Sequence, residues 1–196
     1  MRIGIVSDIH CNHRGLAEAL RLLDSVDRIL CLGDSIYEYR FSNDTVALLR
    51  QRDVIAIRGN HEEVFFGPHG ARARAMGQMD AQLAGWLTEQ PHTRMLELGG
   101  VRIHMVHSTP WAPHREYIFP GSPEFPRMAE SGADLVLYGH THHAVAQHIG
   151  DSLILNPGSA GEARGAGDDA FLSCAIYDTQ SREASILRYA DPTKGD

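Results

Sequence analysis

An α/β fold with a parallel sheet is what this sequence predicts, on three observations. Four short apolar runs read as strands buried on both faces: Ile3-Gly4-Ile5-Val6, Ile29-Leu30-Cys31-Leu32-Gly33, Val54-Ile55-Ala56-Ile57 and Leu135-Val136-Leu137-Tyr138-Gly139. Stretches with apolar residues at helical spacing separate the first three, the alternation that builds βαβ units. Each run also ends abruptly in metal-binding residue types: Asp8 and His10, Asp34, Asn60 and His61, then His140 and His142. Ligands in open α/β sheets gather beyond the carboxyl ends of such strands, so one polar, metal-binding rim is expected.

The first strand leads into an amphipathic stretch carrying Leu16, Ala17, Leu20, Leu23 and Val26, and the chain returns through a second strand at 28–32. A helix from Asn43 or Asp44 through Arg52, carrying Val46, Leu48 and Leu49, delivers it to the third strand at 54–57. Residues 62–66 read as a short helix, Gly67-Pro68-His69-Gly70 breaks it, and 78–89 read as another helix closed by Pro91, together a cover over one edge. Gly99-Gly100 suits a two-residue turn between strands at 94–98 and 101–106, giving an antiparallel hairpin that ends at His107. The Pro-rich piece 110–126 reads as a long loop, and such loops inside compact domains are usually functional, so it is expected to line a substrate cleft. After the strand at 135–138, strand candidates at 144–149, 152–155, 171–178 and 183–189 suggest a second sheet. The Gly-rich stretch 158–167 is expected to be a surface loop.

The chain has 196 residues, 43% hydrophobic and 22% charged, which suits one domain over 1–196 that buries about 70% of its unfolded surface. A net charge of −7 offers no general attraction to a nucleic-acid backbone or an anionic membrane, so neither is an expected partner. A phosphorylated substrate has to be drawn in locally, which bound cations would do. Cys11, Cys31 and Cys174 are odd in number and widely spaced, which suits reduced thiols. No basic leader precedes the first strand and no apolar run nears the roughly 20 residues that cross a bilayer, so a cytoplasmic protein is expected. The oligomeric state is not legible.

Residues two apart on an extended chain project to the same side, so Asp8 is expected to point with His10, and His140 with His142. The same rule turns His143 away, and on a regular strand lets His107, not His104, reach the rim. Gly33, Gly59 and Gly139 stand immediately before Asp34, Asn60 and His140, where the missing Cβ permits a sharp exit and close backbone approach. Two Asp, one Asn and four His form a mixed oxygen and imidazole set that suits manganese, iron, cobalt or zinc better than magnesium or calcium. Seven donors exceed the needs of one ion. Two ions about 3.5–4 Å apart that share one carboxylate can hold a hydroxide for in-line attack on phosphorus, and Asp34 is the natural bridge.

In order along the chain, Asp8-Ile9-His10, Gly33-Asp34, Gly59-Asn60-His61-Glu62, Val106-His107 and Gly139-His140-Thr141-His142 resemble the signature blocks of the calcineurin-like metallophosphoesterase superfamily. The short cap and Asn156-Pro157-Gly158-Ser159 look most like its compact prokaryotic phosphodiesterase branch. The resemblance implies a four-layer α-β-β-α sandwich of two mixed sheets flanked by helices. It also implies two divalent ions, manganese first, with iron, zinc, cobalt or nickel as alternatives. Asp8, His10, Asp34 and His142 would hold one ion, while Asp34, Asn60, His107 and His140 would hold the other. His61 would be the catalytic residue, donating a proton to the leaving alkoxide or stabilising the phosphoryl oxygens. The implied activity is hydrolysis of small or nucleotide-derived phosphodiesters. Phosphomonoesters, dinucleoside polyphosphates and a non-catalytic metal-binding scaffold are the alternatives.

The chain departs from the family pattern at Cys11, where relatives usually have glycine, and around Arg164, whose neighbours differ from the branch's Gln-Pro-Arg. The roles of Cys11, Arg58, His114 and Arg164 stay open. His13, His69, His92, His114 and His148 read as surface residues, with His114 the strongest outsider because of its aromatic loop. Trp111, Tyr117 and Phe119 are expected to bury against the fold, with stacking on a nucleobase as the second reading.

Overall fold

A computed structural model of the chain describes residues 1–112, 114–165 and 170–194. Its strands are β1 (Arg2–Val6), β2 (Arg28–Cys31), β3 (Ile55–Ala56), β4 (Thr93–Leu98), β5 (Val101–Val106), β6 (Leu135–Leu137), β7 (Val145–Ile149), β8 (Ser152–Asn156), β9 (Leu172–Asp178) and β10 (Glu183–Tyr189). Its helices are α1 (His13–Leu22), α2 (Asn43–Gln51), α3 (Asn60–Phe66), α4 (Ala71–Met76) and α5 (Ala81–Thr88), with 3-10 turns at Pro68–Gly70 and Phe125–Ser131.

Two five-stranded mixed sheets result, in the orders β10-β9-β1-β2-β3 and β4-β5-β6-β8-β7. The apolar runs sit where both faces need burial. Ile3, Ile5, Leu30 and Leu32 pack against Ile103, Met105, Leu135, Leu137, Leu153 and Leu155 between the sheets. The alternate residues Val6, Ile29 and Cys31 face outward onto Leu16, Leu20 and Leu23 of the α1 segment and Leu49 of α2. The outer face of the second sheet, at Val136 and Ile154, is covered by Phe125 and Met128 of the 3-10 turn and by Ile118. These four layers are the sandwich the resemblance implied, with a 3-10 turn and a loop forming the outermost one.

Sheet membership departs from expectation at one edge. β9 and β10 do not join the second sheet; β9 pairs antiparallel with β1 through Arg2↔Asp178 to Ile5↔Ala175, and β10 follows it. β1 is parallel to β2 on its other side, so β9 closes what would be an open, apolar edge. α4 was not anticipated because Ala71–Met76 carries no apolar stripe, and none of its residues is buried. The 158–167 stretch also departs, since Gly158, Ser159 and Ala160 are buried, while 166 and 167 lie outside the described residues. Ser159 Oγ donates to Asp8 O at 2.7 Å and Ala160 N to Ser7 O at 2.9 Å, so this segment underpins the loop after β1.

Candidate metal centre

Every candidate ligand leaves the carboxyl end of a strand. Asp8 and His10 follow β1, Asp34 follows β2, and Asn60 and His61 open α3 after β3. His107 follows β5, while His140 and His142 follow β6. Side chains from both sheets therefore converge at one end of the sandwich.

They meet in overlapping groups whose ligand atoms lie within 4.8 Å of one another: Asp8 with His10 and His142, Asp34 with His107 and His140, and Asp34 with His10 and His61. His142 Nε2 lies 3.3 Å from Asp8 Oδ1 and 3.0 Å from His10 Nε2. His107 Nε2 lies 3.1 Å from Asp34 Oδ2 and 3.0 Å from Asn60 Oδ1, which brings Asn60 to the second group. His61 Nε2 is 3.7 Å from Asp34 Oδ2. The structure thus brings together all seven candidate ligands and His61. It leaves His143 exposed and turns His104 to Thr93 Oγ1, 3.0 Å away, as expected.

Asp8 and His10 do point into one group, but His140 and His142 do not, and the extended-chain parity expected for both pairs is absent. Asp8, His10, Asp34, His140 and His142 all have left-handed backbones, with φ between 49° and 64°, so they sit in tight turns rather than on extended chain. His140 and His142 accordingly serve different groups. Left-handed non-glycine residues cost of order 1 kcal/mol or more each and cluster at functional sites. Close approach explains two glycines beside them. A Cβ on Gly59 would lie 2.2 Å from Asp34 Oδ1, and one on Gly139 would lie 2.0 Å from Ser7 Oγ and 2.7 Å from Asp8 Oδ2.

Groups outside the donor set hold it in place. His107 Nδ1 is 2.8 Å from Leu32 O, so Nε2 turns inward. Glu62 is fully buried and accepts four backbone N–H bonds, from Asp34 (2.9 Å), Ser35 (2.6 Å), Ile36 (3.2 Å) and Gly59 (2.8 Å). It ties the Asp34 turn to the start of α3. Glu38 meets His61 Nδ1 both through its carboxylate, at 2.5 Å, and through its backbone N–H, at 3.1 Å. Glu162 lies 3.2 Å from His142 Nδ1 and accepts from the Tyr37 hydroxyl. Sequence reasoning missed the roles of Glu38, Glu62 and Glu162. Only Glu62 had a local signal, its place three residues after Gly59 in a capping box.

Electrostatics separate the histidines. Burial would lower His107, yet the Asp34 carboxylate beside it wins and lifts it to about 10. Burial likewise opposes the charge on His142, but its hydrogen bonds to Asp8 and Glu162 raise it to about 9. Burial, then the His107 charge, pushes His140 down to about 4. Asp34 is held well below the usual carboxylate range because the His107 charge overrides its burial.

The donor set fits divalent cations. Oxygen and imidazole donors are mixed, two carboxylates are fully buried or nearly so, and buried His140 Nε2 has no hydrogen-bond partner among the described residues. The raised histidines carry a consequence. Without metal, His107 and His142 are protonated at neutral pH, and their charge stabilises the fold below the ordinary histidine pKa, an effect lost as pH rises through about 9–10. Cations must displace those protons. Metal uptake at pH 7 is therefore expected to release up to about two protons and to tighten as pH rises. Calorimetry in buffers of different ionisation heat checks this, and uptake without proton release contradicts it.

A family model described as the calcineurin-like phosphoesterase superfamily domain matches residues 1–182. The chain belongs to the calcineurin-like phosphoesterase superfamily. An uncharacterised protein of Methanocaldococcus jannaschii is 25% identical over 214 residues, covering 95% of this chain and 86% of the relative. The crystal structure of a metallophosphoesterase from Sphaerobacter thermophilus is similar at 25% identity and a TM-score of 0.75, covering 96% of this chain and 88% of that one. A structure described as a novel archaeal phosphodiesterase shares the fold at 22% identity and a TM-score of 0.63, covering 96% and 100% of the two chains. Calcineurin-like phosphoesterases are metal-dependent hydrolases, which agrees with the His and Asp groups here.

In this phosphoesterase a cleft of about 260 Å³ opens over the donor groups, lined by His10, Asp34, His61, His140 and His142 together with Tyr117, Glu162 and Arg164. Arg164 is held at its mouth by a 2.8 Å bond from Nη2 to Thr141 O. Arg58 is turned away, its Nη2 3.0 Å from His92 Nε2, and His114 is bound to Thr109 O. Cys11 is half-buried, and its Sγ donates to Arg40 O at 3.2 Å. Tyr117 and Phe119 are not buried as expected. They are 61% and 41% exposed, because the loop turns inward at Ile118 between them, and its burial leaves both neighbours outside.

Proposed function

We propose that this chain is a two-metal phosphodiesterase that hydrolyses small, nucleotide-derived diesters. One observation carries the reading: two donor groups, Asp8-His10-His142 and Asp34-His107-His140, converge beneath a single cleft with Asn60 and His61 at their edge. In this reading Asp8, His10, Asp34 and His142 hold one ion, and Asp34, Asn60, His107 and His140 hold the other. Manganese is the first choice for such a set, and iron, zinc, cobalt or nickel suit it also. Bound ions supply Lewis-acid stabilisation of phosphoryl charge and lower the pKa of water.

The chain's own residues supply the rest. The Glu38 carboxylate, 2.5 Å from His61 Nδ1, is the acceptor for an Nδ1–H and leaves Nε2 facing Asp34, so a proton given up from Nε2 leaves a neutral ring behind. His61 thus delivers a proton to the leaving alkoxide from Nε2. Arg164 pairs with a phosphoryl oxygen at the cleft mouth. Two carboxylates near the same cleft, Glu38 and Glu162, disfavour the dianion of a phosphomonoester or a polyphosphate tail, which favours a singly charged diester. No described helix is long and apolar enough to cross a membrane, and the thiols of Cys31 and Cys174 are buried and free, consistent with a cytoplasmic enzyme.

With manganese added, bis(p-nitrophenyl) phosphate should be hydrolysed, and EDTA should abolish turnover reversibly. His61→Ala is expected to keep its metal and to lower kcat by about 10²–10³-fold for an alkyl leaving group. The loss should be smaller for p-nitrophenolate, which leaves without a proton. Equal, negligible losses for both esters would remove His61 as the acid.

A further inference from the structure

We infer that the cleft reads a flat aromatic group on its substrate, a nucleobase, and that Tyr117 is the platform on which that group stacks. The inference rests on the phosphodiesterase reading for where the phosphate sits, not for the platform itself. Tyr117 lines the same cleft as His61 and Arg164, so a ring laid against it is within one nucleotide of the donor groups. One face of Tyr117 lies on His140, with ring centroids 4.0 Å apart and planes 28° from parallel. The residue is nevertheless 61% exposed, which leaves the rest of the ring to solvent.

Its position is fixed by its neighbours. Ile118 is buried against Phe125, Met128 and Val136, Ser108 Oγ donates to Glu116 O at 2.7 Å, and Arg115 pairs with Glu63 at 2.7 Å. A ring anchored on both sides of its own position loses little freedom when a ligand stacks on it. The other tyrosine near the donors is already engaged. Tyr37 stacks on His10 at 4.8 Å, carries the Arg40 guanidinium 4.7 Å from its centroid and gives its hydroxyl to Glu162. Tyr117 has none of these further engagements among the described residues. If its task were only to shield His140, an aliphatic side chain would serve as well, and that difference is measurable.

Two esters with the same leaving group isolate the platform: thymidine 5′-(p-nitrophenyl phosphate) and methyl p-nitrophenyl phosphate. The manganese-loaded wild type should show a kcat/KM about 10-fold or more higher for the thymidine ester, the size expected for one stacked base. Tyr117→Leu should bring that ratio to within about twofold, and Tyr117→Phe should preserve it. Calorimetry with thymidine 5′-monophosphate and methyl phosphate reads the same preference without turnover. Equal binding of the two by the wild type, or a preference that survives Tyr117→Leu, overturns the platform. If neither ester is hydrolysed but the nucleotide still binds preferentially through Tyr117, the diesterase reading falls and the platform stands.

Discussion

Asp34→Asn is expected to lower phosphodiester turnover by roughly 10³-fold and to cut the metal held from two ions to at most one. The substitution keeps the shape of the side chain and one oxygen for the His61 N–H, now 2.9 Å from Oδ1. It removes the charge. Asp34 is the carboxylate that lies near both His107 and His61, and its group shares His10 with the Asp8 group. An amide nitrogen cannot ligate a cation, so one side of the shared position is lost outright. His107 would also lose the partner that raises it to about 10. The proton released from His107 on metal uptake should disappear with it. Activity within about tenfold of wild type, with two ions still bound, contradicts the assignment of Asp34 as the shared ligand.

Glu62→Ala is expected to destabilise the metal-free protein by about 3–5 kcal/mol, or roughly 10 °C in Tm. Four backbone N–H groups converge on this carboxylate in a fully buried place. Alanine leaves all four without their acceptor. Burial, and then the nearby Asp34 charge, pushes the Glu62 carboxyl up to about 7, so its neutral form is accessible near neutral pH. Glu62→Gln mimics that form and keeps one oxygen acceptor, and it should cost roughly half as much. Urea unfolding in EDTA checks both, because metal then contributes nothing to the difference. A loss below about 1 kcal/mol for the alanine variant would mean that the turn at 34–36 holds itself.

Much of the fold was legible because the apolar runs bury both faces. Ile3 and Ile5 enter the space between the sheets while Val6 meets the helices, so the whole run is apolar. The clustering of the candidate donors was legible for a related reason, since a run that stops at Asp8 or Asp34 marks a strand end. Pairing was not. Nothing local in residues 172–178 says that they lie beside β1 rather than β8. Composition also misled at Gly158 to Ala160, where small residues signal tight packing: a Cβ on Gly15 of α1 would lie 2.4 Å from Ala160 O. Glu162 reaches His142 from a loop after β8, and no spacing in the chain announces that contact.

Anomalous diffraction from crystals soaked in manganese is the most direct measurement of the central claim. Two peaks should appear on either side of the Asp34 carboxylate, one reached by Asp8, His10 and His142 and the other by Asn60, His107 and His140. A lone peak away from Asp34, or none at this cluster at full soaking concentration, would contradict the account.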